Sequence, residues 1–220
     1  HVARNACSAA EVVTEHEGET QTMEADLVVH GAGREPDLAD LNLDVAGINH
    51  TTAGVTVTEH LRSVSNPAVY AAGDAAATVG MPLTPVASME GAVAASNMMN
   101  GDLEAPDYTG IPTTVFTIPE LVRVGLLESE AREQGKTFDV RYSDTSSWFS
   151  NYRTGETTAA VKILVDRDTD LVIGAHMLGP EYSEIVNVLA LDMKLGLTTK
   201  QQKTATAAYP SVGTDLSTML

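Results

Sequence analysis

Asn66-Pro-Ala-Val-Tyr-Ala-Ala-Gly-Asp74 is the stretch on which the reading of this chain turns. Val69 to Ala72 reads as a short buried strand, and Gly73 offers a position without a Cβ where chain and ligand can come close. Asp74 then places a carboxylate at the strand's C-terminal end, where open α/β sheets hold their ligands. Ten residues on, Leu83-Thr-Pro-Val-Ala87 opens a helical run, with Thr84 read as the N-cap and Pro85 as the first helical residue. A helix start of this kind aims free N–H groups and a partial positive charge at whatever lies beside it.

Upstream, Glu11 to Glu17 and Thr20 to Val29 read as strands of a β-meander turning at Gly18, with the glutamates on a solvated face. Gly31-Ala-Gly-Arg-Glu-Pro36 breaks that pattern, and Gly54 to Thr58 alternates like an edge strand. Downstream, Thr84 to Met99 has the small-residue content of a tightly packed helix, stopped by Gly101. Asp102 to Gly110 is polar and carries a proline, which marks a domain boundary. Beyond it, Thr113 to Phe116, Val122 to Gly125, Phe138 to Tyr142, Ala159 to Asp166 and Leu171 to Leu178 read as strands of an antiparallel sheet. Glu128 to Gln134 reads as a short helix. Ile185, Val188, Leu189 and Leu195 recur at helical spacing, so the segment Glu181 to Leu195 is expected to cover that sheet. The fold class is α+β, with part of an α/β unit in front of the sheet.

A length of 220 residues suits one or two domains, and a hydrophobic content of 43% is ample for a core. No apolar run approaches the ~20 residues of a spanning helix, and no signal-peptide pattern is present, so a cytoplasmic protein without membrane partners is expected. The lone cysteine, Cys7, excludes an intrachain disulfide framework. The formal charge of −17, from 30 acidic and 13 basic residues, argues against nucleic-acid binding through a basic surface. Scattered acidity with few lysines resembles the surfaces of salt-adapted proteins; a halophilic source is the reading adopted, and an ordinary acidic cytosolic protein is the alternative. The six histidines show no i, i+3 or i, i+4 pairing and there is no Cys-His cluster, so no metal site is expected.

Together these segments resemble the flavin-dependent pyridine nucleotide–disulfide oxidoreductases, the family of glutathione reductase, lipoamide dehydrogenase and mercuric reductase. Ala25 to Pro36 resembles the end of the family's nicotinamide domain and the return crossing. Val69 to Asp74 and Leu83 to Ala87 resemble the second half of its FAD domain. Ile111 to Phe116, Pro119-Glu120, Val124-Gly-Leu126 and Glu128 to Ala131 resemble the entry to its dimerisation domain. The resemblance implies residues 1–33 as the end of the nicotinamide domain, 34–107 as FAD domain and 108–220 as dimerisation domain. It implies FAD and NAD(P)H as cofactors, a homodimer, and a small-molecule disulfide as substrate; a non-catalytic dimerisation or interaction module, and a family reductase acting on a non-disulfide acceptor, are the alternatives. The family's GxGxxG loop and Cys-x4-Cys pair have no counterpart here, so the chain is expected to be a C-terminal portion, inactive alone.

By the same resemblance Gly73 and Asp74 meet the flavin's ribityl chain, and Leu83, Thr84, Pro85 and Ala87 lie at its pyrimidine edge. Gly33 and Arg34 sit at the crossing near both cofactors. Tyr209-Pro210 departs from the family pattern, because the better-known members carry a His-Pro there, with a glutamate a few residues later, as the thiol acid–base of the partner subunit. Here Thr214 takes the glutamate's place and Asp215 is adjacent. A tyrosine titrating near ~10 is a poor proton shuttle at neutral pH but can donate a hydrogen bond, and a packing tyrosine at a dimer interface is the alternative. Trp148, Phe149 and Tyr152 either line a substrate pocket or pack in the core. Gly91 is followed by Ala92 where glutathione reductase has an arginine, which argues against glutathione itself. A salt-adapted surface predicts that the fold is lost in low salt; equal stability from low to molar salt, followed by circular dichroism, would contradict it.

Overall fold

The computed structural model describes residues 2–4, 10–31, 33 and 35–220. Cys7 and Arg34 lie outside the described residues. The first strands form a three-stranded antiparallel sheet of β1 (Val2–Arg4), β2 (Ala10–His16) and β3 (Glu19–Ala25). Glu17 and Gly18 both have positive φ, 51° and 82°, which gives the tight two-residue turn that joins β2 to β3. β3 is shorter than its sequence pattern: pairing ends at Ala10 opposite Ala25, and residues 26–29 continue without strand pairing.

The middle of the chain is held by turns more than by sheet. A two-stranded ribbon, β4 (His50–Thr51) and β5 (Gly54–Val55), packs Val55 with Leu43 and Ile48 into a small core. The expected edge strand from Gly54 to Thr58 is therefore cut to two residues, and both are buried. Gly54 lies so close to the Ala75 carbonyl that a Cβ would come within 2.7 Å of its oxygen, so the ribbon presses directly on the Gly73–Ala75 turn. Val69 to Ala72 is likewise not a strand of a parallel sheet. Tyr70 makes one isolated antiparallel bridge to Arg62, and the Ala68 N–H is taken by the Asn66 side chain. Pro67 and the Asn66 turn hold the segment as an extended strap rather than a ladder.

α1 (Thr84–Asn100) follows, and its start differs from expectation by one residue. Leu83, with extended backbone, is the N-cap; Thr84 and Pro85 are the first two helical residues. Gly101 closes the helix, its N–H bonding the Asn97 carbonyl. The polar run after it is strapped to both sides rather than free. The Asn97 side chain, 1% exposed, accepts from the Leu103 and Glu104 N–H groups and donates to the His60 and Glu104 carbonyls. Asp102 accepts from Arg62 at 3.0 Å and from the Tyr70 hydroxyl at 2.6 Å, and these bonds hold its carboxyl below the usual aspartate range.

The C-terminal unit is a five-stranded antiparallel sheet in the order β6-β7-β10-β9-β8. Its strands are β6 (Thr113–Val115), β7 (Glu120–Gly125), β8 (Phe138–Asp144), β9 (Ala160–Asp166) and β10 (Val172–Gly179), with α2 (Glu128–Glu133) and α3 (Phe149–Tyr152) in the connections. Register explains the core. Val122 opposes Met177, which opposes Val161, and Val124 opposes Ala175, which opposes Ile163, so period-2 alternation sends two apolar rows to one face. α4 (Tyr182–Leu195) lays Ile185, Val186 and Leu189 on that face, and Val212, Leu216, Met219 and Leu220 close it. The Glu120 carboxylate accepts from the Ser183 N–H and so caps the start of α4. The period-2 alternation is borne out here and the chain is α+β; α4 covers the sheet through Ile185 and Leu189 as expected, joined by Val186, whereas Val188 and Leu195, read as part of the same stripe, are exposed.

The linker also reaches α4. Lys194 pairs with Asp107 at 2.6 Å, which lowers the Asp107 carboxyl to about 2, and the Gly110 backbone sits against the Ala190 carbonyl with no room for a Cβ. Two buried side-chain atoms, Asn151 Oδ1 and Asp192 Oδ2, have no hydrogen-bond partner among the described residues, and Asp192, 3% exposed, is the one that bears a carboxyl. Burial pushes its carboxyl up to about 6. The folded state then holds this proton more tightly than the unfolded chain. Its stabilising contribution is complete below about pH 4 and falls away as pH rises through about 6. Asp192→Asn is expected to gain on the order of 1–3 kcal/mol at pH 8 and nothing at pH 4 relative to the parent, read by urea denaturation across that range.

Candidate functional site

Glu90 is the centre of the site, and it is not among the residues singled out from the sequence. It sits on α1 in the buried stripe of Val86, Ala94 and Asn97, and is 1% exposed. Its carboxylate accepts three hydrogen bonds from three separate segments. The Gly73 N–H donates to Oε2 at 2.6 Å, while the Thr78 hydroxyl at 2.8 Å and the Tyr108 hydroxyl at 2.7 Å donate to Oε1. Thr78 Oγ1 accepts in turn from the Gly80 N–H at 3.1 Å. A buried carboxylate is tolerable only when its lone pairs are met, and here they are. Burial and the bond to Glu90 raise the Tyr108 phenol to about 12, so it remains a donor at any ordinary pH.

The consequence is a fixed turn at Gly73-Asp74-Ala75. Gly73 has φ of +62°, and a Cβ there would lie 2.8 Å from the Ala87 Cβ, so this turn packs backbone-to-helix against α1. Asp74 follows and is exposed, on the wall of a cleft of about 600 Å³. Residues from the crossing (Glu35, Pro36, Asp37), the β4–β5 turn (Thr52, Ala53), the loop after Asp74 (Thr78, Gly80, Met81, Pro82) and α1 (Val86, Glu90) line it as well. The Arg123 guanidinium on β7 reaches Met81 Sδ at 3.6 Å, which joins the cleft wall to the C-terminal sheet.

The residues singled out from the sequence divide accordingly. Gly73 and Asp74 line the cleft. Ala87 contacts it only through Gly73, and Leu83, Thr84 and Pro85 lie beyond its lining, where Met81, Pro82 and Val86 form the wall. The start of α1 has no side-chain cap and no acidic residue in its first turn; the Leu83 and Ala87 N–H groups are taken by backbone carbonyls and Pro85 has none, so the Thr84 and Val86 N–H groups, without a partner among the described residues, are left for a ligand. Gly33 is exposed with φ of +91°, just ahead of the cleft-lining Glu35.

Tyr209 and Asp215 are brought to the same short helix but not to each other. Tyr209, 75% exposed, stacks on Phe149 with ring centroids 6.0 Å apart, whereas Asp215 accepts a hydrogen bond from the neighbouring Ser150. The aromatic group also splits: Trp148 packs on the core, while Phe149 and Tyr152 are exposed. Under it lies a buried polar knot in which Tyr182 OH meets Thr145 Oγ1 at 2.8 Å and receives Asn151 Nδ2 at 3.2 Å. A second cleft, of about 380 Å³, runs between Ile185 and Val188 of α4 and the segment 202–217. Among the described residues no group of three or more His, Cys, Asp or Glu side chains could hold a metal ion, and no helix is long and apolar enough to cross a membrane.

A sheet covered by one helix, a strap crossing to a small-residue helix, and a cleft walled by Gly73 and Asp74 make a two-part α+β architecture. Sequence comparison agrees. Residues 111–220 match the dimerisation domain of the pyridine nucleotide-disulphide oxidoreductases, and residues 2–91 match the oxidoreductase domain of the same family. The chain belongs to the pyridine nucleotide-disulphide oxidoreductase family. It is 44% identical over 180 residues to an uncharacterized 19.7 kDa protein in a mercuric resistance operon of Staphylococcus aureus, covering 82% of this chain and all of that protein. It is 33% identical over 202 residues to dihydrolipoyl dehydrogenase of Bacillus subtilis, covering 92% of this chain and 42% of the enzyme. Its fold matches the HOCl-induced flavoprotein disulfide reductase RclA of Escherichia coli, solved as a Cu(II) complex, with a TM-score of 0.83 and 24% identity, over 100% of this chain and 49% of that one. The chain thus spans less than half the length of these enzymes.

Gly73→Ala combines a positive φ with a contact that Ala87 cannot relieve without moving α1. Its expected cost is on the order of 2–4 kcal/mol in chemical denaturation. Gly91→Ala, where a Cβ meets nothing within 4 Å, is expected to be neutral or stabilising.

Proposed function

We propose that this chain supplies the second half of the FAD site and the dimerisation module of an FAD-dependent NAD(P)H:disulfide oxidoreductase, acting as a homodimer on a low-molecular-weight disulfide. Within it, residues 1–33 end the nicotinamide domain, 34–107 belong to the FAD domain and 108–220 form the dimerisation domain. The observation that carries this reading is the Asp74 carboxylate, exposed on the cleft wall by a turn that only glycine can make and that Glu90 holds from below.

The residues present fit FAD. Gly73 lets the turn seat directly on Ala87 of α1 and so sets Asp74 on the cleft wall, Asp74 offers acceptors to a row of hydroxyl donors, and the uncapped start of α1 offers the Thr84 and Val86 N–H groups to an anionic ring edge. Gly73 and Asp74 would hold the ribityl chain, and Leu83, Thr84, Pro85 and Ala87 the region about the pyrimidine edge, with Gly33 and Arg34 at the crossing. Bound there, FAD supplies two-electron transfer between reduced nicotinamide and a disulfide. Tyr209, without a hydrogen bond among the described residues and exposed beside Phe149, presents its phenol to a partner protomer, with Asp215 bonded to Ser150. The exposed Val188, Leu191 and Leu195 on α4 supply the apolar surface a second copy would cover.

A second reading, a dimerisation module without redox chemistry of its own, is favoured by the 19.7 kDa relative, whose whole length is matched. One experiment separates the two: the gene product is purified in high salt and titrated anaerobically with NADPH and with NADH. The flavoenzyme reading predicts a yellow protein bleached by one of them, with thiols then exposed; a colourless dimer leaves only the module.

A further inference from the structure

We propose that Glu90 is a positioning residue for flavin binding, acting through the Gly73 amide to fix where Asp74 presents its carboxylate; this rests on the FAD reading above. The case starts from burial. A glutamate 1% exposed in the middle of a helix otherwise faced with Val86, Ala94 and Asn97 loses its hydration, and an alanine in its place would suit the packing stripe and the helix better. Its retention is explained by what it grips. Of its three partners, one is a backbone N–H in the residue directly before Asp74, at 2.6 Å, a short contact for an N–H donor.

The other two partners make the grip directional. Thr78 and Tyr108 both donate to Oε1, so the carboxyl plane cannot rotate away from Gly73 without breaking two bonds. Gly80 completes the cradle, since a Cβ there would fall 2.8 Å from Glu90 Oε1 and 2.7 Å from the Tyr108 ring. Tyr108 belongs to the strap whose neighbour Asp107 is tied to Lys194 of α4. The Asp74 turn is therefore referenced both to α1 and to the C-terminal sheet, through one side chain. Thr78, Gly80 and Glu90 also line the cleft itself, so this support stands directly beneath the ligand space.

The test has two independent readouts. In the 220-residue chain, the Gly73 amide proton is expected far downfield in a ¹H–¹⁵N spectrum, and Glu90→Ala moves it upfield, whether or not flavin binds. In the protein purified with its flavin, Glu90→Ala weakens FAD binding about tenfold or more, while Glu90→Gln, which keeps an acceptor for Gly73, stays within a few-fold. In an Asp74→Ala background, Glu90→Ala then costs little further affinity, because it acts through the same carboxylate; full additivity of the two losses would mean a merely structural role and overturn the proposal. Unchanged FAD affinity in a folded Glu90→Ala protein would overturn it as well. Should the wild type bind no FAD, the functional reading fails, and with it flavin positioning; the amide shift then reports separately whether Glu90 fixes the turn. Should Glu90→Ala not fold, Tyr108→Phe and Thr78→Val each remove one donor, and a graded loss of FAD affinity with movement of the Gly73 amide is expected; no change in either would overturn the proposal.

Discussion

The buried carboxylate of Glu90 is the constraint on which the rest of the cleft depends. Three donors converge on it, from residues 73 and 78 on one loop and from residue 108 on the strap, which share no secondary-structure ladder. Such a network is costly when partly satisfied and rigid when complete. Here it is complete, and it takes the place of the strand pairing that would otherwise fix a ligand-facing turn. The small residues around it follow from the same requirement. Gly73 must lie on Ala87, Gly80 must leave space for Tyr108, and Gly54 must let the β4–β5 ribbon touch the turn from the other side.

The strap between Asn100 and Gly110 gives this local arrangement a global reference. Asn97 and Asp102 bind its first half to the α1 side, while Asp107 and Gly110 bind its second half to α4. α4 in turn is seated by the apolar rows of β7, β10 and β9. A segment that reads as a polar linker is thus a structural element, held by side-chain hydrogen bonds and close backbone contact. Asp192, the one poorly met carboxylate in this region, marks the place where that packing costs stability.

What the sequence made legible was whatever rests on periodicity. The strands around Val122, Ile163 and Ala175 alternate at period 2 and the helix through Ile185 and Leu189 repeats at 3.6, so sheet, covering helix and fold class could all be read. α1 and its Gly101 stop were also visible. The central segment was not, because Val69 to Ala72 has the composition of a strand while its hydrogen bonds run to residues 61 and 63 and to an Asn66 turn. Gly73 and Asp74 were legible as a motif; Glu90, Thr78 and Tyr108, which make the motif work, were not. A glutamate on a helix reads as solvated by default. The signal was its place on the apolar stripe with Val86 and Ala94, a charge where the pattern asks for none.

We propose this cleft as half of a flavin site whose ribityl acceptor is Asp74. A crystal structure of the protein grown with FAD tests it most directly. The account predicts flavin in the cleft beside Gly73, with ribityl hydroxyls donating to the Asp74 carboxylate and the Glu90 bond to Gly73 intact. Flavin seated elsewhere, or a cleft that excludes it at saturating FAD, would contradict the account.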